Sequence, residues 1–159
     1  MKIKSSIFII RLKKILHFVF FPELIKYFFK GIFPAFEHLK AIQKINNTKT
    51  LIDCGSNKGQ FAILIHQVKR LKTYFAFDPI ERPNILINYF FSKKVDCKYF
   101  NIALSNKRTK SDFYITKKKD SSSLKKTLSF SDSIFKGVKY ESSITVDVQE
   151  LNEYEELIK

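Results

Sequence analysis

Thr50-Leu51-Ile52-Asp53-Cys54-Gly55-Ser56-Asn57-Lys58-Gly59 is the stretch from which the rest of the chain can be read. Thr50 to Ile52 is a short apolar run that ends at Asp53, and a glycine-containing turn follows. Phe61, Leu64, Ile65 and Val68 then recur at i, i+3, i+4 and i+7, which describes one face of a helix. Gly55 and Gly59 therefore lie between a strand and a helix. Glycine in that place lets the backbone turn sharply and lets a ligand approach with no Cβ in the way. The helix that follows offers free N–H groups to an anionic group such as a carboxylate.

Moving outward, Thr73-Tyr74-Phe75-Ala76-Phe77 is a second buried strand, ending at Asp78-Pro79. Pro83 suits the first turn of another helix, with Leu86, Tyr89 and Phe90 on its apolar face. Phe100, Ile102 and Leu104 alternate as a third strand. Strand, helix, strand, helix, strand at this spacing predicts a βαβαβ unit with a parallel sheet, an α/β fold. Beyond it, Phe113-Tyr114-Ile115 reads as a strand, Ser121-Ser122-Ser123 as a loop, and Ile144, Val146 and Val148 as a half-buried strand. On the other side, residues 1–48 form a basic amphipathic helical region. Phe8, Leu12, Ile15 and Val19 recur at helical spacing. Next, Leu24, Tyr27, Phe28 and Ile32 oppose a stripe of Glu23, Lys26 and Lys30. A third helix groups Phe36, Leu39, Ile42 and Ile45. Helices of this kind pack on a domain face or lie on a membrane, so residues 1–33 carry an expectation of peripheral membrane contact.

The formal net charge of +14 invites a nucleic-acid reading. The excess is spread along the chain, however, and Arg, the residue suited to bidentate phosphate and base contacts, occurs only at positions 11, 70, 82 and 108. No specific nucleic-acid partner is expected. Cys54 and Cys97 make no CxxC or Cys/His cluster, which argues against a disulfide framework and structural zinc and points to a reducing cytoplasm. Both cysteines are expected as small core residues. His17, His38 and His66 are isolated and expected to be surface or packing residues. No catalytic residue can be assigned from spacing, and no metal is expected.

The chemistry gathers at the strand ends. Asp53 would face the crevice where ligands bind in open α/β sheets, and Asp78, ending the next strand, can accept hydrogen bonds from vicinal ribose hydroxyls. A dinucleotide needs Gly-x-Gly-x-x-Gly against its pyrophosphate, whereas here the pattern is Gly-x-x-x-Gly, and no Gly-Lys-Ser/Thr loop exists. Asp-x-Gly-x-x-x-Gly suits S-adenosylmethionine better. That ligand has no phosphate, and its sulfonium and amino groups favour acidic neighbours. The expected cofactor-binding set in this loop is Asp53, Gly55, Ser56, Asn57 and Gly59, joined by Asp78.

TLIDCGSNKGQF (50–61), FAFDP (75–79), NIALSN (101–106), Ser-Ser-Leu (122–124) and ITVDVQELN (144–152), in this order, resemble motifs of the FkbM family of methyltransferases. Cys54 and Ser56 stand where that family has an aliphatic residue and Ala, and Asp78 where Glu is usual. The resemblance covers residues from about Thr50 onward. It implies an incomplete Rossmann-like class I methyltransferase fold with N-terminal helices, in which residues 49–159 are the first part of the methyltransferase domain. It adds Asn101 and Ala103, near the adenine, to the site. It also implies methylation of a small-molecule or glycan hydroxyl. Family members continue with Ile-Asp and a Glu/Gln-Gly pair on the next strand, whereas the chain ends at Leu157-Ile158-Lys159. The expectation is therefore a first strand left unpaired on one side. A different class of function, a nucleoside-binding α/β module without chemistry, stands as the alternative.

Overall fold

A computed structural model describes residues 16–80, 88–90, 92–118, 121–126, 134 and 137–158. Helical residues 16–20 lead into a 3-10 turn, Pro22–Leu24, and helix α1, Ile25–Phe29. A second 3-10 turn, Phe36–His38, precedes α2, Leu39–Lys44. Pro22 opens the first of these turns, where its missing N–H leaves no bond unmade. Phe8, Leu12, Ile15, Pro83 and Leu86, cited above as helix residues, lie outside the described residues.

Strand β1, Thr50–Cys54, is joined by α3, Gln60–Lys69, to β2, Thr73–Phe77. A segment including helical residues 88–90 then leads to β3, Asp96–Phe100. The three strands are parallel in the order β1-β2-β3. Parallel neighbours require such crossovers, which is why the helical and strand periods alternate in the sequence. Side chains of β2 alternate between two clusters, as the pleat demands. Tyr74 and Ala76 join Leu64, Ile65, Tyr89 and Phe90 on one face, while Phe75 and Phe77 join Ile102 on the other. Leu24, Tyr27, Ile32, Phe36 and Ile42 belong to the same cluster as Leu64. The N-terminal helices thus close over α3, and Ala62 through His66 are all buried rather than one stripe alone. The helical periodicity underestimates that burial because a second layer covers the outer side.

A second, mixed sheet follows. It contains β4, Ala103–Leu104, β5, Thr109–Thr116, and β6, Tyr140–Gln149, in the order β4-β6-β5. β4 runs parallel to β6 and β5 antiparallel to it. Tail residues form a 3-10 turn, Leu151–Tyr154, and a last helical turn α4, Glu155–Ile158. The Glu150 and Glu153 side chains form a reciprocal capping box at the start of that turn. Tyr154 packs against Phe77 and Phe100 on the outer face of the parallel sheet.

Several expectations change. Val19, placed on an apolar helix face, is exposed, and Ile45, grouped with Ile42, lies in extended backbone beyond α2 and is exposed too, because the helix ends at Lys44 before its side could turn inward. Phe100, Ile102 and Leu104 do not share one strand: β3 ends at Phe100, and the chain crosses to the second sheet at Ala103. The pairing of Ala103 with Val148 is a long-range contact that alternation cannot reveal. Cys54 is exposed rather than in the core, and Ile52 is 37% exposed. Among the described residues β1 hydrogen-bonds as a strand only to β2, so one edge and part of its face lie open.

His66 is a packing residue, as expected, and lies buried with its ring edge-on to Tyr89 and Phe90. His17 stacks on Phe36, and His38 is exposed beside Phe61. The His66 Nδ1 atom is buried without a hydrogen-bond partner. Burial, followed by the positive charges of Arg70 and Lys93, holds the imidazole below its ordinary value of 6.5. The unfolded chain therefore takes up this proton first as the pH falls. Stability is fully present above 6.5 and declines below it, by up to about 1.4 kcal/mol per pH unit until the folded-state pKa is reached. Chemical denaturation of the wild type and His66→Leu across this range should show a shallower decline in the variant; identical slopes would refute the assignment.

Candidate functional site

The loop after β1 is built from left-handed backbone. Gly55, Asn57 and Gly59 have φ of +81°, +45° and +69°. Gly55 and Ser56 both donate their N–H to the Phe77 carbonyl, at 2.8 and 3.1 Å, which carries the β1–β2 pairing into the turn. The Gly59 N–H donates to Ser56 O at 2.7 Å, and its own carbonyl accepts from Ile63, starting α3. A Cβ built on Gly55 would meet no atom within 4 Å. Glycine is required there by its φ, and the space beside it is open cavity.

Asp78 sits at the end of β2, 6% exposed. Its Oδ2 accepts the Asn57 N–H at 2.6 Å and its Oδ1 accepts the Ile80 N–H at 2.8 Å. The Asp78 carbonyl accepts the Tyr99 hydroxyl at 2.8 Å and the Asn101 Nδ2 at 3.0 Å, and Tyr99 also reaches Ile80 O. One residue thereby joins the ends of all three parallel strands. A carboxylate offers about four acceptor positions, and two of them take these backbone N–H groups.

Two cavities flank the loop. One, of about 430 Å³, is bounded by Gly55, Asn57 and Asp78 on the parallel-sheet side, and by Ile102, Ala103 and Phe113 toward the second sheet. Its remaining wall includes Ser122, Ser123 and Leu124. That segment is held against β5 by reciprocal backbone bonds between Tyr114 and Ser123, and the Ser122 hydroxyl accepts from the Thr116 N–H. The other cavity, of about 800 Å³, lies toward the N-terminal helices, with Asp53, Lys58, Phe61 and Phe33 among its walls and Glu37, His38, Lys117 and Lys118 at its polar parts. Gly55 and Asn57 line both.

The sequence-derived residues divide between them. Gly55, Asn57, Asp78 and Ala103 border the smaller cavity, while Asp53 and Ser56 border the larger. Asp53 Oδ2 accepts the Tyr74 hydroxyl at 3.1 Å. Gly59 shapes the turn without lining either space, and Asn101 braces Asp78 from outside the smaller cavity. Cys54 lines the smaller cavity, and partial burial, with the nearby Asp53 charge, raises its thiol pKa and keeps it protonated. Among the described residues no group of His, Cys, Asp and Glu could hold a metal ion. Nor does any described helix have the length and apolarity to cross a membrane. Phe113, Phe33, His38 and the basic pair at 117–118 were not singled out from sequence for this site. No local signal marks them, since each arrives from a distant segment.

Comparison of the chain with protein-family models, curated proteins and solved structures finds no match.

Replacing Asp78 by Asn turns one acceptor oxygen into a donor facing a backbone N–H. Leaving that buried N–H unsatisfied costs about 1–3 kcal/mol. Asp78→Asn should lower the denaturation free energy by that amount in urea titrations, and an unchanged midpoint would show that the loop does not depend on this carboxylate.

Proposed function

We propose that this chain is an S-adenosylmethionine-dependent methyltransferase of the FkbM type, with a Rossmann-like class I fold, acting on a small-molecule or glycan hydroxyl. The observation that carries the reading is the buried Asp78 carboxylate beside a glycine loop with left-handed backbone, at the carboxyl ends of parallel strands. This is the place where open α/β sheets bind nucleosides. The motif resemblance from Thr50 onward supports it independently of the geometry.

The residues fit such a ligand in chemistry as well as in place. Ala103, Ile102, Phe113 and Leu124 offer an apolar wall for a flat base. Asp78 places a carboxylate at the rim of the smaller cavity, the group that pairs with ribose hydroxyls at strand ends of this kind. Asp53, across the loop, supplies negative charge for an amino or sulfonium group. No succession of glycines approaches a pyrophosphate. S-adenosylmethionine would bring a methyl group on a positively charged sulfur, open to in-line displacement by an oxygen.

The protein's part is then positioning. Gly55 borders both cavities and, lacking a Cβ, adds no side chain between them. The larger cavity has room for an acceptor, and Asp53, Glu37 and His38 border it as groups able to take a hydroxyl proton.

Equilibrium dialysis with labelled S-adenosylmethionine and with its demethylated product tests the reading. Saturable binding is expected for the wild type and at least tenfold weaker binding for Asp78→Ala. Leu124→Trp, which narrows the smaller cavity from its half-exposed rim, should weaken binding too while leaving the Asp78 bonds in place. Absence of saturable binding would overturn the proposal. Binding without transfer to any acceptor hydroxyl would leave a nucleoside-binding module in its place.

A further inference from the structure

Among the described residues, residues 16–33 hold six exposed large apolar side chains: Leu16, Val19, Phe20, Ile25, Phe29 and Phe33. Val19, Phe20 and Phe29 are 74%, 78% and 79% exposed. Scattered exposed apolar residues are ordinary; a concentration of them is not.

Their arrangement is ordered. Ile25 and Phe29 are four residues apart on α1 and share one side of it. Lys26 and Lys30, also four apart and both exposed, run as a basic stripe beside them. Leu24 and Tyr27 point inward and are buried. The half-buried Phe28 ring contacts Phe29 at 5.5 Å, Phe33 at 4.7 Å and Phe18 at 5.3 Å. Phe18 in turn belongs to the helical residues that expose Val19 and Phe20. The Phe29 and Phe33 rings thus rest on the half-buried Phe28 ring.

We infer that this face docks on an anionic lipid surface, with the rings of Phe20 and Phe29 entering the interface and Lys26 and Lys30 at headgroup level. Charge decides the occupant. The chain carries a formal net charge of +14, so a second copy would bring like-charged stripes together, whereas an anionic membrane complements them. Glu23, the acid nearest the stripe in sequence, has its carboxylate 2.6 Å from Lys93 Nζ, which pairs its charge. Aromatic rings beside lysines on a polar-edged face are the composition of interfacial helices. Phe33 also walls the larger cavity, so docking would set that cavity beside the lipid surface. The inference does not require the methyltransferase reading.

The test uses the full chain with vesicles of phosphatidylcholine, with and without phosphatidylglycerol. Sedimentation is expected only with the anionic vesicles and should weaken as salt rises. Phe20→Ser and Phe29→Ser, at positions outside both cavities, should together reduce partitioning by at least about tenfold. Lys26→Gln with Lys30→Gln should remove most of the salt dependence. Because the chain has no Trp, Phe29→Trp gives a single reporter, whose emission should shift to the blue on adding anionic vesicles. No sedimentation, sedimentation unaffected by the two Phe substitutions, or an unshifted Trp spectrum would each overturn the inference. So would a dimer in sedimentation velocity that the same substitutions dissociate.

Discussion

The Asp78 carboxylate, buried and shared between the backbone N–H groups of Asn57 and Ile80, is the interaction on which the crevice depends. A charge that deep is tolerable only when donors surround it. Two of the donors are main-chain groups of different loops, so pairing the charge also fixes those loops. Asn57 is held at a positive φ that a non-glycine residue adopts at some cost, and its N–H bond to Asp78 helps offset that cost. Tyr99 and Asn101 complete the arrangement from β3 by gripping the Asp78 carbonyl. The ends of three strands thereby behave as one unit.

The two cavities follow from this arrangement and from the path of the chain after β3. By leaving the parallel sheet at Phe100 and re-entering structure as β4 in the second sheet, the chain swings Ala103 and Phe113 around to face the glycine loop. An apolar wall then opposes a buried acid across the smaller space. On the far side of the loop, Asp53 shares the larger cavity with Glu37 and His38 from the N-terminal layer and with the lysines that follow β5. A flat apolar moiety and a polar, charged one can thus be held on either side of the same glycine turn.

The N-terminal layer has an inner and an outer face that share one physical cause. Its inner side chains, Leu24, Tyr27, Ile32 and Ile42, share one buried cluster with Ala62 and Ile63 of α3. The 3.6-residue period of α1 that turns Tyr27 to the core turns Ile25 and Phe29 to another side. Ile25 and Phe29 remain outside, next to Lys26 and Lys30. Sequence periodicity assigned Leu24, Tyr27, Ile32, Phe36 and Ile42 to the inside, where they lie, but also Val19 and Ile45, which are exposed. It did not register that large apolar residues would stand beside the lysines in the open.

The strand–turn–helix order around Gly55, the inward face of α3, the alternation of Tyr74 to Phe77 and the position of Asp78 at a strand end were all determined by the sequence by itself. These are local properties, set by side-chain period and by the conformations glycine alone adopts freely. Tertiary structure decided where β3 ends, which strand Ala103 pairs with, that Cys54 and Ile52 lie on an open edge, and that Asn101 braces the site from outside. It also decided that Asp53 and Asp78 face different cavities, although both close a strand before a loop. Such outcomes rest on contacts between segments far apart in the chain, whose geometry no local pattern encodes.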